Sequence, residues 1–501
     1  MMQELSSRSL PHWHTKRADL TPDRPALLAE GVQWSFRELH ERARTTAGKL
    51  AALGIQKGDR VGVLMHNRPE MVQLVHALSY LEAVLVPLNI RLSPVEAGWQ
   101  IQNAEAKLTV YDGTNRKTAQ KIREIDGALA LLAWEELEQQ QPVDFQPPVR
   151  VGLDSLHTIM YTSGTTGKPK GVMLTYGNHW WSAVGSVLNL GLQPDDRWLI
   201  CVPLFHMSGL SILMRSVIYG ITAVLHASFE PSAANRAIRK EGITHMSVVS
   251  AMLTRMVDDL GDQCYPASFR CMLLGGGPAP RPLLERCKEK GIPVFQTYGM
   301  TETASQIVTL APEDALSKLG SAGKPLYPAE LRILRDGREV PPGSEGEIVV
   351  RGPNVTPGYW RREDASREAI RDGWLHTGDL GRMDEEGFLY VLDRRSDLII
   401  SGGENIYPAE VEAALLAHPA VAEAGVTGLP DERWGQVPAA IVRLQDGAEV
   451  TEADLMKHCR ERLAKYKVPV RIHQVGRPLP RNASNKLLRR KLAELLPKGE
   501  C

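Results

Sequence analysis

Between Tyr161 and Gly171 the chain packs four hydroxyls (Thr162, Ser163, Thr165, Thr166), three glycines (Gly164, Gly167, Gly171) and two lysines (Lys168, Lys170) into eleven residues. Each type suits an oxyanion. Glycine lets backbone N–H groups come close, hydroxyls donate at adjustable angles, and lysine supplies a point charge. The spacing is not that of a Walker loop, because Gly164 and Gly167 are too close together and Pro169 follows the lysine where that motif carries Ser or Thr. A surface turn does not need so many donors, so the ligand expected here is phosphate.

Further along lie residues whose chemistry is compatible with the same ligand but less specific alone. Gly275, Gly276 and Gly277 follow an apolar run, and Pro280 excludes the dinucleotide fingerprint, so by themselves they read as a loop. Glu302 follows another apolar stretch and is either a solvated loop acid or a ligand for the Mg²⁺ that accompanies triphosphates. Asp379, read as lying in a loop between Trp374 and Leu380, can accept two sugar hydroxyls or simply form a turn; Arg394 could reach the same sugar. His206 sits beside apolar residues, where a histidine is either packed core or pocket wall. Lys486 is near an expected helix start, and Arg489, Arg490 and Lys491 read as a solvated charged face.

The elements that must carry these residues alternate. Ser35 and Glu38 have the spacing of a capping box before a helical apolar pattern that ends at Gly54. Strand, helix, strand follows over 60–65, 69–82 and 83–87, which implies a parallel unit. The alternation returns with strands over 155–161, 271–274 and 293–298 and a helix over 282–290, and 209–227 reads as a buried helix running into a strand. All three polar, glycine-rich loops follow strands, and ligands of open α/β sheets sit beyond the carboxyl ends of strands, so the loops are expected to converge. After about residue 330 short strands with turns indicate an antiparallel region. Beyond Asp393 the expected order is strand, loop, helix, strand, strand, helix, strand, helix, a compact α+β domain of its own.

The run Thr162-Ser-Gly-Thr-Thr-Gly-Lys-Pro-Lys-Gly171 resembles the signature phosphate loop of the adenylate-forming enzymes, the family of acyl-CoA synthetases and firefly luciferase. The resemblance covers nearly the whole chain. Leu274-Gly-Gly-Gly277 and Gln296-Thr-Tyr-Gly-Met-Thr-Glu302 are similar to its adenine-binding segments, Thr377-Gly-Asp379 to its ribose-binding segment, and Asp393-Arg-Arg-Ser-Asp397 to its interdomain hinge. Ser401-Gly-Gly-Glu-Asn405 and Asn482-Ala-Ser-Asn-Lys486 complete the set. The resemblance implies an α/β protein: a large N-terminal AMP-binding domain (1–393) of α/β sheets plus a distorted antiparallel β region, a hinge (394–397) pivoting at Ser396, and a small mobile α+β domain (398–501). It implies ATP, Mg²⁺ and coenzyme A as ligands, and an acid–thiol ligase chemistry in which a carboxylate and ATP give an acyl-adenylate and a thiol then displaces AMP.

Carried over residue by residue, it assigns Thr162, Lys170, His206 and Lys486 to catalysis. Nucleotide binding falls to Thr162, Ser163, Gly164, Thr165, Thr166, Gly167, Lys168, Gly275, Gly276, Gly277, Gln296, Thr297, Tyr298, Gly299, Thr301, Asp379 and Arg394. Glu302 is assigned to the metal, and Gly402 and Gly403 to the pantetheine channel. Ser396 departs from the Asp or Lys that many relatives carry at the pivot. Only 15 residues follow Lys486, too few for a fused carrier domain, so free CoA is the expected thiol. Further runs, including 203–220 and 303–309, resemble members that act on an aromatic dicarboxylic acid. Such a dianion needs a cation for its unreacting carboxylate; Arg215, with Ser305 and Gln306, is the candidate, unless Arg215 snorkels from a helix surface. Ligases for other aryl or medium-chain acids, and adenylating modules that load a separate carrier, remain alternatives.

Composition bounds the rest. The 59 Lys and Arg balance 59 Asp and Glu, so no net positive field recruits nucleic acid. Six scattered cysteines without C-x-x-C spacing read as reduced thiols of a cytoplasmic protein, and the first twenty residues lack the apolar core of an export signal. No membrane span is expected. The expected partners are small-molecule substrates, and a homo-oligomer is left open.

Overall fold

The computed structural model describes residues 8–162, 169–276, 279–393, 398–445, 447–480, 487 and 489–496. Two mainly parallel sheets form the large domain. The six-stranded sheet runs Lys170–Thr175, Leu156–Thr162, Val84–Pro87, Arg60–Leu64, Ala106–Tyr111, Leu131–Ala133, antiparallel only at its first pair. The nine-stranded sheet is parallel at its centre through Val294–Met300, Cys271–Gly275, His245–Val249, Arg197–Ile200 and Thr222–Leu225, with antiparallel pairs at both ends. Their strands read as continuous apolar runs because helices cover both faces.

Local signals explain the element ends. The helix Phe36–Ala52 starts at Ser35, whose hydroxyl accepts from Glu38 N while the Glu38 carboxylate accepts from Ser35 N at 2.7 Å, and Phe36, Leu39, Ala43, Ala47 and Leu50 form its buried stripe. The helix Met207–Tyr219 and strand Thr222–Leu225 occupy the stretch read as a buried helix entering a strand. Among the described residues no helix is long and apolar enough to cross a membrane.

The antiparallel region follows, with Glu330–Arg335, Gly346–Arg351, Trp374–Met383 and Leu389–Asp393 in one sheet. Here one expectation is corrected: Asp379 lies in the strand Trp374–Met383, not in a loop. Leu380 pairs with Glu347 and His376 with Val349, so residues 377–379 bulge opposite a single partner residue. The last sheet orders Glu404–Ile406, Ile399–Ser401, Gly435–Leu444 and Val421–Asp431, with Ile472–Gln474 parallel to the third, and packs the helices Pro408–Leu416 and Glu452–Arg462. Among the described residues the expected final helix is replaced by the short 3₁₀ turns Arg489–Lys491 and Ala493–Leu495, flanked by the buried Leu492 and Leu496. Arg489 is not on a solvated face; its guanidinium clamps Glu412 with two bonds of 2.7 Å.

Of the histidines sealed into the large domain, five lie near one another: His12, His14, His76, His157 and His179. The His14 and His76 rings lie 4.1 Å apart and those of His157 and His179 4.7 Å apart, so protonating one disfavours the next. Burial is the main cause that lowers their pKa values, to about 4 for His12 and His157, to about 3 for His76, and well below the ordinary value for the other two. The unfolded chain protonates them near pH 6.5, the fold only far below, so unfolding takes up protons between pH 6.5 and 4. Stability is therefore full above pH 6.5 and falls as the pH drops, by up to about 1.4 kcal/mol per pH unit for each histidine. Urea unfolding at pH 7.5, 6 and 5 is expected to show this steep loss. Equal stability at all three would mean that the fold accommodates the charged rings.

Candidate active site

The strands Leu156–Thr162, Cys271–Gly275 and Val294–Met300, drawn from both large sheets, end at one cavity of about 330 Å³. Thr162, Gly275, Gly276, Thr297, Gly299 and Thr301 line it, so the three strand ends converge. Strand periodicity divides the segment read as adenine-binding. Thr297 and Gly299 face the cavity, whereas Gln296 and Tyr298 alternate to the buried side and do not line it. Tyr298 still reaches the site, because its hydroxyl donates to Asp379 Oδ2 at 2.7 Å. Asp379 is 5 % exposed, and its backbone N–H donates to Thr377 Oγ1 at 3.1 Å, so the bulge aims a buried carboxylate at the cavity.

Glu302 stands in the turn Thr301–Thr303, where Oε1 accepts from the Tyr359 hydroxyl at 3.0 Å. The ammonium of Lys170 lies 5.0 Å from the centre of that ring. Tyr359 thus links the cation and the acid; sequence reasoning missed it, since an isolated tyrosine carries no motif. Among the described residues no group of three or more His, Cys, Asp or Glu could by itself hold a metal. One carboxylate, such as that of Glu302, is a sufficient protein donor for Mg²⁺ when phosphates and water supply its other ligands.

At the far end is Arg215, 1 % exposed in the helix Met207–Tyr219. It does not snorkel. Its guanidinium lies 5.3 Å over Trp198, whose indole N–H donates to Ser247 Oγ at 3.2 Å. Nε and Nη2 have no hydrogen-bond partner, and among the described residues no carboxylate lies within ion-pair distance. Burial lowers its pKa from the ordinary arginine value. Gln306 also lines the cavity with both side-chain polar atoms buried and unpartnered, and Ser305 is held in a positive-φ conformation beside it. A buried cation and an amide without partners are expensive unless a ligand satisfies them.

The small domain closes the mouth. Gly403 lines the cavity with φ +87°, and a Cβ there would stand 3.7 Å from Val249, the side chain that Gly276 also approaches. Gly402 does not line it; its φ is +57° and a Cβ would collide with Trp434 at 2.6 Å, so its freedom serves the turn. The next residue, Glu404, is 3 % exposed and joins the domains: its carboxylate accepts from Arg91 at 2.7 Å and Asn89 at 3.1 Å, and meets His206 Nε2 at 3.1 Å. Burial raises its pKa, but His206, Arg91 and Asn89 together outweigh that and hold it below the usual carboxylate range. Glu404 was within a recognised run, yet only its glycines drew attention. Ser163, Gly164, Thr165, Thr166, Gly167, Lys168, Gly277, Arg394, Ser396 and Lys486 lie outside the described residues.

Residues 15–360 match the model of the AMP-binding enzymes, and residues 410–486 match that of the AMP-binding enzyme C-terminal domain. The chain belongs to the AMP-binding enzyme family. This AMP-binding enzyme is 59 % identical over 492 residues to 2-succinylbenzoate–CoA ligase of Geobacillus kaustophilus, covering 98 % of this chain and 99 % of that one. It is also similar to o-succinylbenzoate CoA synthetase of Bacillus subtilis. A double mutant of that protein bound with its product analogue OSB-NCoA superposes with TM-score 0.93 at 51 % identity, covering 97 % of this chain and 98 % of that one. The complex with ATP and magnesium ion gives 0.75 at 50 % identity, covering 97 % and 100 %. At nearly equal identity and coverage, the backbone superposes more closely on the product-analogue complex than on the complex with ATP and magnesium ion.

The wall at Gly299 offers a direct test of the geometry. A Cβ there would lie 2.1 Å from Ser305 O and 2.8 Å from Gln306 Cα, both backbone atoms that cannot step aside. Gly299→Ala is expected to destabilise the protein by about 3 kcal/mol, at the upper end for overpacking. An unchanged urea midpoint would show that the strand pair Val294–Met300 and Ser305–Leu310 is looser than described.

Proposed function

We propose that this AMP-binding enzyme is an ATP-dependent acid–thiol ligase that converts 2-succinylbenzoate and CoA to 2-succinylbenzoyl-CoA, a cytoplasmic step of menaquinone biosynthesis. A substrate carboxylate oxygen attacks the α-phosphorus of ATP and pyrophosphate leaves, giving the acyl-adenylate. The CoA thiol, losing its proton, then attacks the acyl carbon and AMP departs with the bonding electrons. The observation that carries the substrate assignment is Arg215, a buried guanidinium with Nε and Nη2 unpartnered on the cavity wall. A fatty-acid pocket gains nothing from it, whereas an aromatic dicarboxylate brings the missing anion.

The other described residues have roles their positions support, and that of Lys486 rests on the resemblance alone. Asp379 accepts the ribose hydroxyls, steadied by Tyr298; Thr162 and Lys170 attend the phosphates; and Thr297, Gly299, Gly275 and Gly276 form the nucleotide wall. Glu302 would hold Mg²⁺, which when bound neutralises phosphate charge. His206 forms wall and gate, Gly403 leaves room for pantetheine, and Ser305 and Gln306 complete the carboxylate site. Lys486 is assigned to adenylation, its ammonium offsetting the charge that accumulates as two anions meet.

Pyrophosphate release across a panel of carboxylic acids, with and without CoA, tests the reading: release should be greatest with 2-succinylbenzoate, and AMP should follow only when CoA is present. Preference for a monocarboxylate, or turnover indifferent to CoA, would overturn it. Arg215→Met should weaken the specificity constant for the dicarboxylate by about 2 to 4 kcal/mol, the scale for a desolvated carboxylate that loses its charged partner. A monocarboxylate analogue should be affected far less. Equal losses for both would remove Arg215 from the acyl site.

A further inference from the structure

A buried cluster of charge lies where the small domain meets the start of the helix Pro94–Asn103. Lys467 is 3 % exposed, and its ammonium donates to Oε1 of Glu96 and to Oε1 of Glu410, each at 2.7 Å. Glu410 moves with Lys467, since both belong to the C-terminal part; Glu96 belongs to the large domain. The contact therefore exists only in the arrangement described.

Glu96 already has another task. Its Oε2 accepts from Ser93 N at 2.8 Å while the Ser93 hydroxyl accepts from Glu96 N at 3.3 Å, a capping box that opens the helix. The same Ser93 hydroxyl donates to Arg462 O at 2.8 Å. With Asn89 and Arg91 on Glu404, the segment 89–96 meets the small domain at three points.

Three charges, one cation between two carboxylates, are expensive to bury, and Glu410 Oε2 is buried with no partner. Burial opposes the charge on Lys467, but Glu410, Tyr466 and Glu96 outweigh it and hold its pKa above the ordinary lysine value. When the domains part, Lys467 keeps Glu410 and regains water, losing only Glu96. Such a contact is specific in direction yet weak enough to break in every cycle.

We propose that Lys467 is a positioning residue for the thioester step: by closing on Glu96 it docks the small domain where Gly403 and Glu404 face the cavity, and by releasing Glu96 it frees that domain for adenylation. This rests on the ligase reading above. Glu96→Gln keeps the capping box, in which Gln serves as well as Glu, and removes the charge. In rapid-quench experiments Glu96→Gln and Lys467→Met should release pyrophosphate at the unaltered rate but form thioester from bound acyl-adenylate about tenfold to a hundredfold more slowly, as for a lost buried charge contact. Lys467→Arg should recover part of the rate, and the double variant should be no slower than Lys467→Met. Equal loss in both half-reactions, or normal thioester formation in Glu96→Gln, would overturn the proposal. Small-angle X-ray scattering of the full chain without substrates reads docking independently of the chemistry: a more open particle in Glu96→Gln supports the assignment, and an unchanged profile overturns it. A wild-type protein that makes no thioester from any acid would sink the ligase reading instead.

Discussion

The carboxylate of Glu404, with three partners, is the densest of the described contacts that tie the two parts of this molecule together. Arg91, Asn89 and His206 reach it from the large domain, and the glycine before it lines the cavity beside Val249. The strand ends, the antiparallel bulge and the buried arginine form a floor and walls, and that floor is complete without the small domain. What the small domain contributes is a polar face held against the cavity mouth by these contacts. A junction made of ions suits this better than one made of apolar surface. Its strength is set by geometry and its breaking restores hydration, so it is both selective and reversible.

The cavity shows the same economy with charge. Arg215 rests on an indole instead of a carboxylate, and Gln306 has no internal partner. A fold optimised only for stability would pair or replace them. Retaining them unpaired leaves an electrostatic demand in the core, which the anionic substrate proposed above would meet.

Much of this was legible in the sequence. The three strand ends that meet at the cavity and the capping box at Ser35 follow from residue types at fixed spacing, which local physics controls, whereas the burial of Arg215 decides between two readings that the sequence leaves open. The errors arise where tertiary structure overrides spacing. Asp379 beside a glycine reads as a turn, but pairing across the sheet absorbs it as a bulge. Arg489 reads as solvated because Glu412, its partner, is 77 residues away in sequence. Glu404, Lys467 and Tyr359 escaped because single charged or aromatic residues reveal their partners only when distant segments meet. The five buried histidines left no periodic trace for the same reason.

The segment 89–96 begins just past the strand Val84–Pro87, and the phosphate loop begins just past the strand Leu156–Thr162; these are neighbours in the six-stranded sheet, paired at Leu85 and Thr158. Two strands side by side are about 4.8 Å apart and held by a hydrogen-bonded ladder. In mechanical terms, the strand that leads into the segment proposed to hold phosphate and the strand that leads into the contacts with the small domain belong to one stiff plate. Neither can be tilted without tilting the other.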